Sequence, residues 1–281
     1  MSPDILERLA KARGFIFDMD GTIALGDAAS GGHKALPGAV EMLALLRKKG
    51  VPFRVFTNGT AKAPAHYAAS LRQAGFDLAD EEMMTPSSSA AIWFKQQGIT
   101  RVRVLGNEGV SAPLTALGID AIGASDAAKD VEAVYTGWFR EFTFPDLEAA
   151  CQSIWDGAKH TTASHVPFFA TATGRGIGSS FAINKMISAM TGSRAKVLGK
   201  PSRTAFDAAL AAMGLPRSAA KDVFVFGDDP ALEMRMARSA GAMGIGLTTG
   251  LMKADRRADL APAEQPHALL DDLTGVAAAL A

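Results

Sequence analysis

Short apolar runs alternate along the chain with longer segments whose apolar residues recur at helical spacing. The runs at residues 15–17, "VPFRVF" from Val51 and "DVFVF" from Asp222 are typical of buried strands. The segment "PGAVEMLALLRKKG" predicts a helix that has Pro37 in its first turn and stops at Gly50. This alternation predicts an α/β fold with a mainly parallel sheet.

The middle of the chain predicts a second α/β series. Residues 80–190 contain the helix-like "SSSAAIWFKQQG" and "FPDLEAACQSIWDG" and the strand-like "RVRVL" and "VEAVYTGW". No linker rich in Pro, Gly or Ser marks the edges of this series, which favours an inserted domain over a tandem one. We therefore predict a doubly wound, Rossmann-like parallel-sheet core from residues 1–80 and 191–281, with an α/β cap domain inserted at residues 81–190.

The second part of the core contains three further predicted elements. The segment "AKVLGKPS" is read as a short strand and "RTAFDAALAAMG" as a helix. Another helix is predicted at residues 231–240, after the strand that ends in "GDD".

Composition and charge limit the classes of partner. The chain of 281 residues is 48% hydrophobic and 21% charged, which is typical of a globular protein. Lys plus Arg equal Asp plus Glu at 29 each, so neither a nucleic-acid partner nor a membrane partner is predicted. Cys151 is the only cysteine and is expected to be a small buried hydrophobe in a reducing compartment. The N-terminal residues lack the apolar core of a signal peptide, so a cytoplasmic location is predicted.

Polar side chains follow the predicted strands where those strands end. Four such groups occur: Asp18 with Asp20, Thr57 with Asn58, Lys200 alone, and Asp228 with Asp229. Taken singly, each could cap a turn, begin a helix or face solvent. Because an open parallel sheet binds ligands beyond the carboxyl ends of its strands, the four together favour a catalytic site.

The chemistry of these residues indicates phosphoryl transfer with a divalent cation. Asp18, Asp20 and Asp228 would repel one another unless a cation joined them, and Mg²⁺ favours hard oxygen ligands. A carboxylate is ionised at neutral pH and can act as a nucleophile. Three donors could hold and neutralise a transferring phosphoryl group: Thr57, Asn58 and Lys200.

Three competing motifs fail. An EF-hand loop would need a longer acidic series, preceded by a helix instead of "FIF". "LGKPS" ends like a P-loop, but Ala195 replaces the required glycine and Pro201 follows the lysine. "TGRGIG" has Ser179 where a dinucleotide fingerprint needs glycine.

The motifs "DMDGT", "TN", Lys200 and "GDDPALE" resemble, in order and strand context, those of the haloacid dehalogenase-like superfamily of phosphoryl-transfer enzymes. The resemblance implies that Asp18 forms an aspartyl-phosphate and that Asp20 is the general acid and base. It also implies that the phosphoryl group is bound by Lys200 and by three residues at the second motif: Thr57, Asn58 and Gly59. Mg²⁺ would be held by Asp18, the Asp20 backbone carbonyl and Asp228, with Asp229 or Glu233 contacting its waters.

The position of the insertion resembles one branch of this superfamily. The long segment lies after the second motif, as in the 4-nitrophenylphosphatase and phosphoglycolate-phosphatase-like branch. This resemblance implies a small phosphorylated metabolite as substrate. Because relatives often dimerise, a homodimer is also expected.

The predicted cap departs from these relatives where they face the substrate. The usual Ala-Thr-Asn-x-Asp is replaced by "TTASHVPFF", which has Ser164 and His165 and no acid. His165 is interpreted either as a substrate contact or as a solvated loop residue, and Arg175 as an anion contact or a surface residue. Glu233 stands where many relatives have Asp. The other histidines show no metal-ligand spacing and are read as structural or solvated: His33, His66, His160 and His267.

Several functions are compatible with this pattern. A Mg²⁺-dependent phosphatase acting on small phosphomonoesters is favoured. A phosphomutase is disfavoured because the familiar mutases of the superfamily carry their cap between the first two motifs. A 2-haloacid dehalogenase is disfavoured because its chemistry needs neither Asp20 nor the predicted Mg²⁺ ligands. A non-catalytic binding protein on the same fold would bind metabolites without releasing phosphate, so an assay with an aryl phosphate separates it from the enzyme.

Overall fold

The computed structural model describes residues 1–27, 32–171 and 174–280. The chain divides into two compact units. The first comprises Met1–Thr57, Ala65–Met84 and Phe206–Ala281, and the second comprises Asn58–Pro64 and Thr85–Ala205. The second unit is therefore inserted into the sequence of the first.

Strands and helices alternate along most of the described chain. The strands are β1 (Gly14–Phe17), β2 (Ala24–Asp27), β3 (Gly32–Ala35), β4 (Phe53–Phe56), β5 (Met83–Met84), β6 (Arg101–Leu105), β7 (Asp120–Ile122), β8 (Ala133–Thr136), β9 (Lys159–Thr162), β10 (Phe168–Thr171), β11 (Gly174–Ile177), β12 (Lys196–Val197), β13 (Val223–Gly227), β14 (Met243–Leu247) and β15 (Ala268–Leu270). The helices are α1 (Pro3–Ala10), α2 (Ala39–Lys48), α3 (Pro64–Gln73), α4 (Pro86–Gln96), α5 (Glu108–Ala116), α6 (Phe144–Trp155), α7 (Ser179–Thr191), α8 (Arg203–Ala212), α9 (Arg235–Ala240) and α10 (Thr274–Leu280).

The sheet of the first unit has the order β15-β14-β13-β1-β4-β5, and all its neighbouring strands are parallel. All residues of β1 and β13 are buried, as expected for central strands covered on both faces. Phe15 and Phe17 stack with Phe224 and Phe226 of the neighbouring strand at centroid distances of 5.2–6.2 Å. The predicted α/β parallel-sheet core is confirmed, with β1 near its centre.

The second unit has its own parallel sheet, of order β12-β9-β8-β6-β7. Tyr135 of β8 is fully buried and packs edge-on against Phe94 of α4 at a centroid distance of 5.9 Å. Cys151 of α6 lies in a separate apolar cluster, and its burial raises the pKa of the thiol. The expectation of a small buried hydrophobe is confirmed.

Three features differ from the sequence predictions. The strand in "AKVLGKPS" belongs to the second sheet, because Lys196 and Val197 pair with Thr161 and Thr162. The second unit consequently extends to Ala205 instead of residue 190. The helix predicted at residues 231–240 begins with a wider π-helical turn, Pro230–Met234, before α9.

Two antiparallel hairpins were not predicted. β2 pairs with β3 directly after the first motif, and β10 pairs with β11 within the second unit. Residues 28–31, 172–173 and 281 lie outside the described part of the chain, and residue 173 begins the "TGRGIG" segment that was rejected as a dinucleotide fingerprint. No helix among the described residues is long and apolar enough to cross a membrane.

Candidate active site

Asp18 lies directly beyond the carboxyl end of β1. Its backbone N–H donates to the carbonyl oxygen of Phe226 at 2.9 Å, which continues the ladder between β1 and β13 by one step. Asp18 is 8% exposed, and the Thr22 hydroxyl donates to its Oδ2 at 3.5 Å. Asp228 follows β13 by one residue and is 4% exposed. Two largely buried carboxylates thus stand at the ends of adjacent strands.

A tight turn follows Asp18. The Met19 carbonyl accepts from the backbone N–H groups of Ile23 and Ala24 at 3.1 and 3.0 Å. Gly21 has a φ of +81°, which residues with a Cβ rarely adopt. A Cβ at this position would also overlap the carboxylate of Asp228. The glycine of "DMDGT" is therefore required by both backbone geometry and space.

The loop after β14 holds Asp228 in place. The backbone N–H of Leu251 donates to Asp228 Oδ2 at 2.8 Å, and that of Met252 donates to the Asp228 carbonyl at 2.8 Å. A Cβ on Gly250 would overlap Asp228 Oδ2. The Thr249 hydroxyl donates to the carbonyl of Gly21, so this loop also fastens the turn beside Asp18.

These groups fit a magnesium ion in donor chemistry. Mg²⁺ favours hard oxygen ligands from one or two carboxylates and keeps several waters. Two glycines leave room beside the Asp228 carboxylate that side chains would fill. Among the described residues, no three His, Cys, Asp or Glu side chains are placed to share a metal ion. Three carboxylates around one ion are therefore not observed, and the ligand set that remains predicted is Asp18, Asp228 and the Asp20 backbone carbonyl.

Asp20 differs from the two buried acids. Its side chain is 59% exposed, and Oδ1 lies 3.9 Å from Nε2 of His33, a residue of β3. An exposed carboxylate in a turn can exchange protons with a bound molecule or with water. This location suits an acid-base role better than a role as a buried ligand.

Thr57 lies at the end of β4, which is the other neighbour of β1. Its backbone N–H donates to the carbonyl of Met84 at 3.2 Å, and the residue is 4% exposed. Three adjacent strands of the first unit, β13, β1 and β4, therefore end in Asp228, Asp18 and Thr57.

In the second unit, Asn58 holds the backbone of Lys200. Asn58 Nδ2 donates to the Lys200 carbonyl at 3.1 Å, and the Lys200 N–H donates to Asn58 Oδ1 at 3.0 Å. This paired contact occupies the oxygen and one amide hydrogen of the Asn58 side chain, which was predicted to bind phosphoryl oxygens. Lys200 is 1% exposed and precedes a cis peptide bond to Pro201. The Asn58 side chain is therefore fixed to the Lys200 backbone, and its contact with phosphoryl oxygens stays a prediction.

The fourth motif continues into the turn after β13. Asp229 Oδ1 accepts from the N–H of Ala231 at 2.8 Å and so caps the helical segment that follows. The buried Glu233 accepts from the N–H of Asp229 at 3.2 Å through Oε2. Contact of either acid with the waters of a metal stays a prediction.

The divergent segment of the second unit presents His165 at the surface. Partial burial of the ring, followed by the positive charges of Lys185 and Arg194, lowers the pKa of His165. Ser164 is buried, and its Oγ accepts from the N–H of Val166 at 3.1 Å. His165 is thus the more available of the two for contact with a ligand.

Two other residues considered in the sequence analysis, Arg175 and His160, make contacts within the second unit. Arg175 is exposed and stacks over the ring of Phe168 at 4.5 Å. His160 is buried between Ser193 and Asn184, its ring nitrogens at 2.8 and 2.7 Å from their oxygens. Burial lowers the pKa of His160, in keeping with a neutral structural histidine.

Several residues of the site escaped the sequence analysis. The Thr249 hydroxyl fastens the first turn and the Leu251 N–H fastens Asp228, contacts that residue type alone did not indicate. His33 was read as structural or solvated because it lacks metal-ligand spacing. Its proximity to Asp20 follows from the β2–β3 hairpin, which the sequence did not predict.

Comparison with known proteins places both ends of the chain in one superfamily. The family model described as haloacid dehalogenase-like hydrolase matches residues 15–120, and a related haloacid dehalogenase hydrolase-like model matches residues 197–276. Phospholysine phosphohistidine inorganic pyrophosphate phosphatase of Bos taurus is 27% identical over 87% of this chain and 86% of its own length. The crystal structure of 4-nitrophenylphosphatase from Thermotoga maritima has a TM-score of 0.83 at 24% identity, covering 98% of this chain and 99% of that one. Glycerol phosphate phosphatase from Mycobacterium tuberculosis, solved in complex with magnesium, has a TM-score of 0.78 at 24% identity, covering 94% and 76%.

Proposed function

Because this chain belongs to the haloacid dehalogenase-like hydrolases, we propose that it is a Mg²⁺-dependent phosphatase that hydrolyses small phosphomonoesters through an aspartyl-phosphate. The observation that carries the proposal is the pair of buried carboxylates, Asp18 and Asp228, at the ends of adjacent parallel strands. The names of the relatives, which are phosphatases, support the same reaction class.

In the proposed reaction, Asp18 is the nucleophile. Its carboxylate oxygen forms a bond to phosphorus while the bond between phosphorus and the ester oxygen breaks. Asp20 donates its proton to the departing oxygen, which leaves as an alcohol. Asp20 then accepts a proton from the water that attacks phosphorus, the bond to Asp18 breaks, and inorganic phosphate is released.

The phosphoryl group is proposed to be bound by donors that follow β4 and by Lys200. The Thr57 hydroxyl and the backbone of Asn58 and Gly59 are suited to its oxygens, since anions are commonly held by such groups. Lys200 supplies positive charge. Asn58 is hydrogen-bonded to both the N–H and the carbonyl of Lys200, so these two residues of the second unit are fixed to each other.

Magnesium would be held by Asp18, Asp228 and the backbone carbonyl of Asp20, with Asp229 or Glu233 contacting its waters. When bound, it supplies positive charge that offsets the negative charges of the carboxylates and of the transferring phosphoryl group. The backbone N–H of Leu251 donates to one oxygen of Asp228, which orients this predicted ligand.

The substrate is proposed to be a small phosphorylated metabolite, as in the glycerol phosphate phosphatase named above. The cytoplasmic location and the homodimer stay predictions that rest on the sequence and on the family.

The proposed function is tested by measuring inorganic phosphate released from a panel of metabolite phosphates and aryl phosphates in the presence of Mg²⁺. A phosphatase releases phosphate from several members of the panel. A non-catalytic binding protein would bind some of them, detectable by calorimetry, and release none. A phosphomutase would return an isomeric phosphate ester in place of free phosphate.

The same panel tests the role of His165. Because its lowered pKa favours the neutral ring, we expect His165 to act by hydrogen bonding and packing. His165→Ala should change the ratio of kcat/KM between two substrates by roughly tenfold, the scale of one specificity contact. The dependence on Mg²⁺ should not change. A uniform loss across all substrates, or an unchanged order of preference, would contradict a role in selection.

A further inference from the structure

The hairpin formed by β2 and β3 brings a histidine beside the turn that contains Asp20. An isolated bridge joins Asp20 to Ala24, where β2 begins, and β3 returns antiparallel so that His33 pairs with Gly26. His33 Nε2 thereby comes within 3.9 Å of Asp20 Oδ1. This separation is an electrostatic contact, longer than a hydrogen bond, and such catalytic contacts often shorten when substrate binds.

The other side of the histidine ring is anchored. Nδ1 of His33 lies 2.8 Å from the hydroxyl oxygen of Ser70, in the middle of α3. When the Ser70 hydroxyl donates to Nδ1, the neutral ring carries its proton on Nε2, the nitrogen that faces Asp20. The His33 side chain is 13% exposed, whereas that of Asp20 is 59% exposed. A largely buried ring in contact with Ser70 therefore lies beside an exposed carboxylate.

Acid-base catalysis depends on the orientation of the carboxyl group. An exposed aspartate in a turn populates several rotamers, and only some direct its oxygen toward a departing ester oxygen. A fixed N–H group of His33 beside Oδ1 of Asp20 would reduce the number of rotamers that Asp20 populates, without itself contacting the substrate.

We propose that His33 is a positioning residue for Asp20, and that Ser70 fixes His33 in that role. The inference rests on the proposed function, in which Asp20 protonates the leaving group. In this proposal the β2–β3 hairpin contributes to catalysis by holding His33 beside Asp20. Proton donation matters most for poor leaving groups, so the contribution of His33 depends on the ester that is cleaved.

The test compares two substrates of similar shape, 4-nitrophenyl phosphate and phenyl phosphate, whose leaving groups differ in acidity. His33→Ala should lower kcat for phenyl phosphate by about 10- to 100-fold, the scale of a misplaced catalytic group. It should lower kcat for 4-nitrophenyl phosphate by less than about threefold, because that phenolate needs little protonation. Ser70→Ala should show the same pattern at smaller size. His66→Ala, an exposed histidine on α3, is the matched control and should change neither rate.

A double variant separates positioning from a general structural effect. In the Asp20→Asn background, His33→Ala should change kcat for either substrate by no more than about twofold, because the group it positions is already lost. Thermal unfolding of each variant checks the fold, and His33→Gln, which keeps a donor, should recover part of the phenyl phosphate rate. Equal losses on both substrates, or an undiminished loss in the Asp20→Asn background, would overturn the inference. If wild type hydrolyses neither ester, the proposed function itself fails.

Discussion

Asp18→Asn is expected to abolish turnover of every phosphate ester. The amide is nearly isosteric with the carboxylate but is a poor nucleophile, so the aspartyl-phosphate cannot form. Removal of the catalytic nucleophile of a hydrolase can lower kcat by about 10⁶-fold, and a loss of that size is expected here. The measurement is phosphate release from 4-nitrophenyl phosphate at saturating Mg²⁺.

The fold of this variant should be preserved. The ladder bond from the Asp18 N–H to Phe226 is made by the backbone, and an amide oxygen can still accept from the Thr22 hydroxyl. Thermal unfolding should therefore resemble that of wild type. Near-normal hydrolysis by Asp18→Asn would show that water attacks phosphorus directly and would remove the covalent intermediate from the mechanism.

Asp20→Asn is expected to lower kcat by about 10²- to 10⁴-fold, the usual contribution of a general acid or base. Unlike Asp18→Asn, it should leave a measurable remnant. The Asp20 side chain is exposed, and its predicted metal ligand is the backbone carbonyl, which the substitution keeps. Binding of Mg²⁺ and of inorganic phosphate, measured by calorimetry, should therefore persist.

The outcome for Asp20→Asn separates two roles of this residue. If the variant no longer bound Mg²⁺, the Asp20 carboxylate would be a ligand, contrary to its exposed position in the turn. If kcat were unchanged for poor and good leaving groups alike, another group would supply the proton.

The central buried strands could be predicted because their sequences are continuous apolar runs. β1 and β13 are continuous apolar runs directly followed by acids, a pattern that fits central parallel strands. The partner of β12 was not predictable, because a strand of two residues does not specify which sheet it joins. The hairpin strands "ALGD" and "GHKA" are short and show no regular alternation of apolar and polar residues.

The same contrast holds for the site. The positions of Asp18, Thr57 and Asp228 follow from the rule that strand ends of a parallel sheet gather functional groups. The two hydrogen bonds between the Asn58 side chain and the Lys200 backbone join residues 142 positions apart. Residue type alone does not reveal such a contact. The short distance between His33 and Asp20 likewise depends on the register of the β2–β3 hairpin, which could not be predicted from the sequence pattern.

The most direct test of the Mg²⁺-dependent mechanism is the rate of 4-nitrophenol release by wild-type enzyme stripped of metal with EDTA, before and after Mg²⁺ is restored. The proposed mechanism predicts negligible release without metal, full recovery with Mg²⁺, and none in Asp18→Asn under either condition. Equal rates with and without Mg²⁺, or no release from wild type at any Mg²⁺ concentration while the ester still binds, would contradict it.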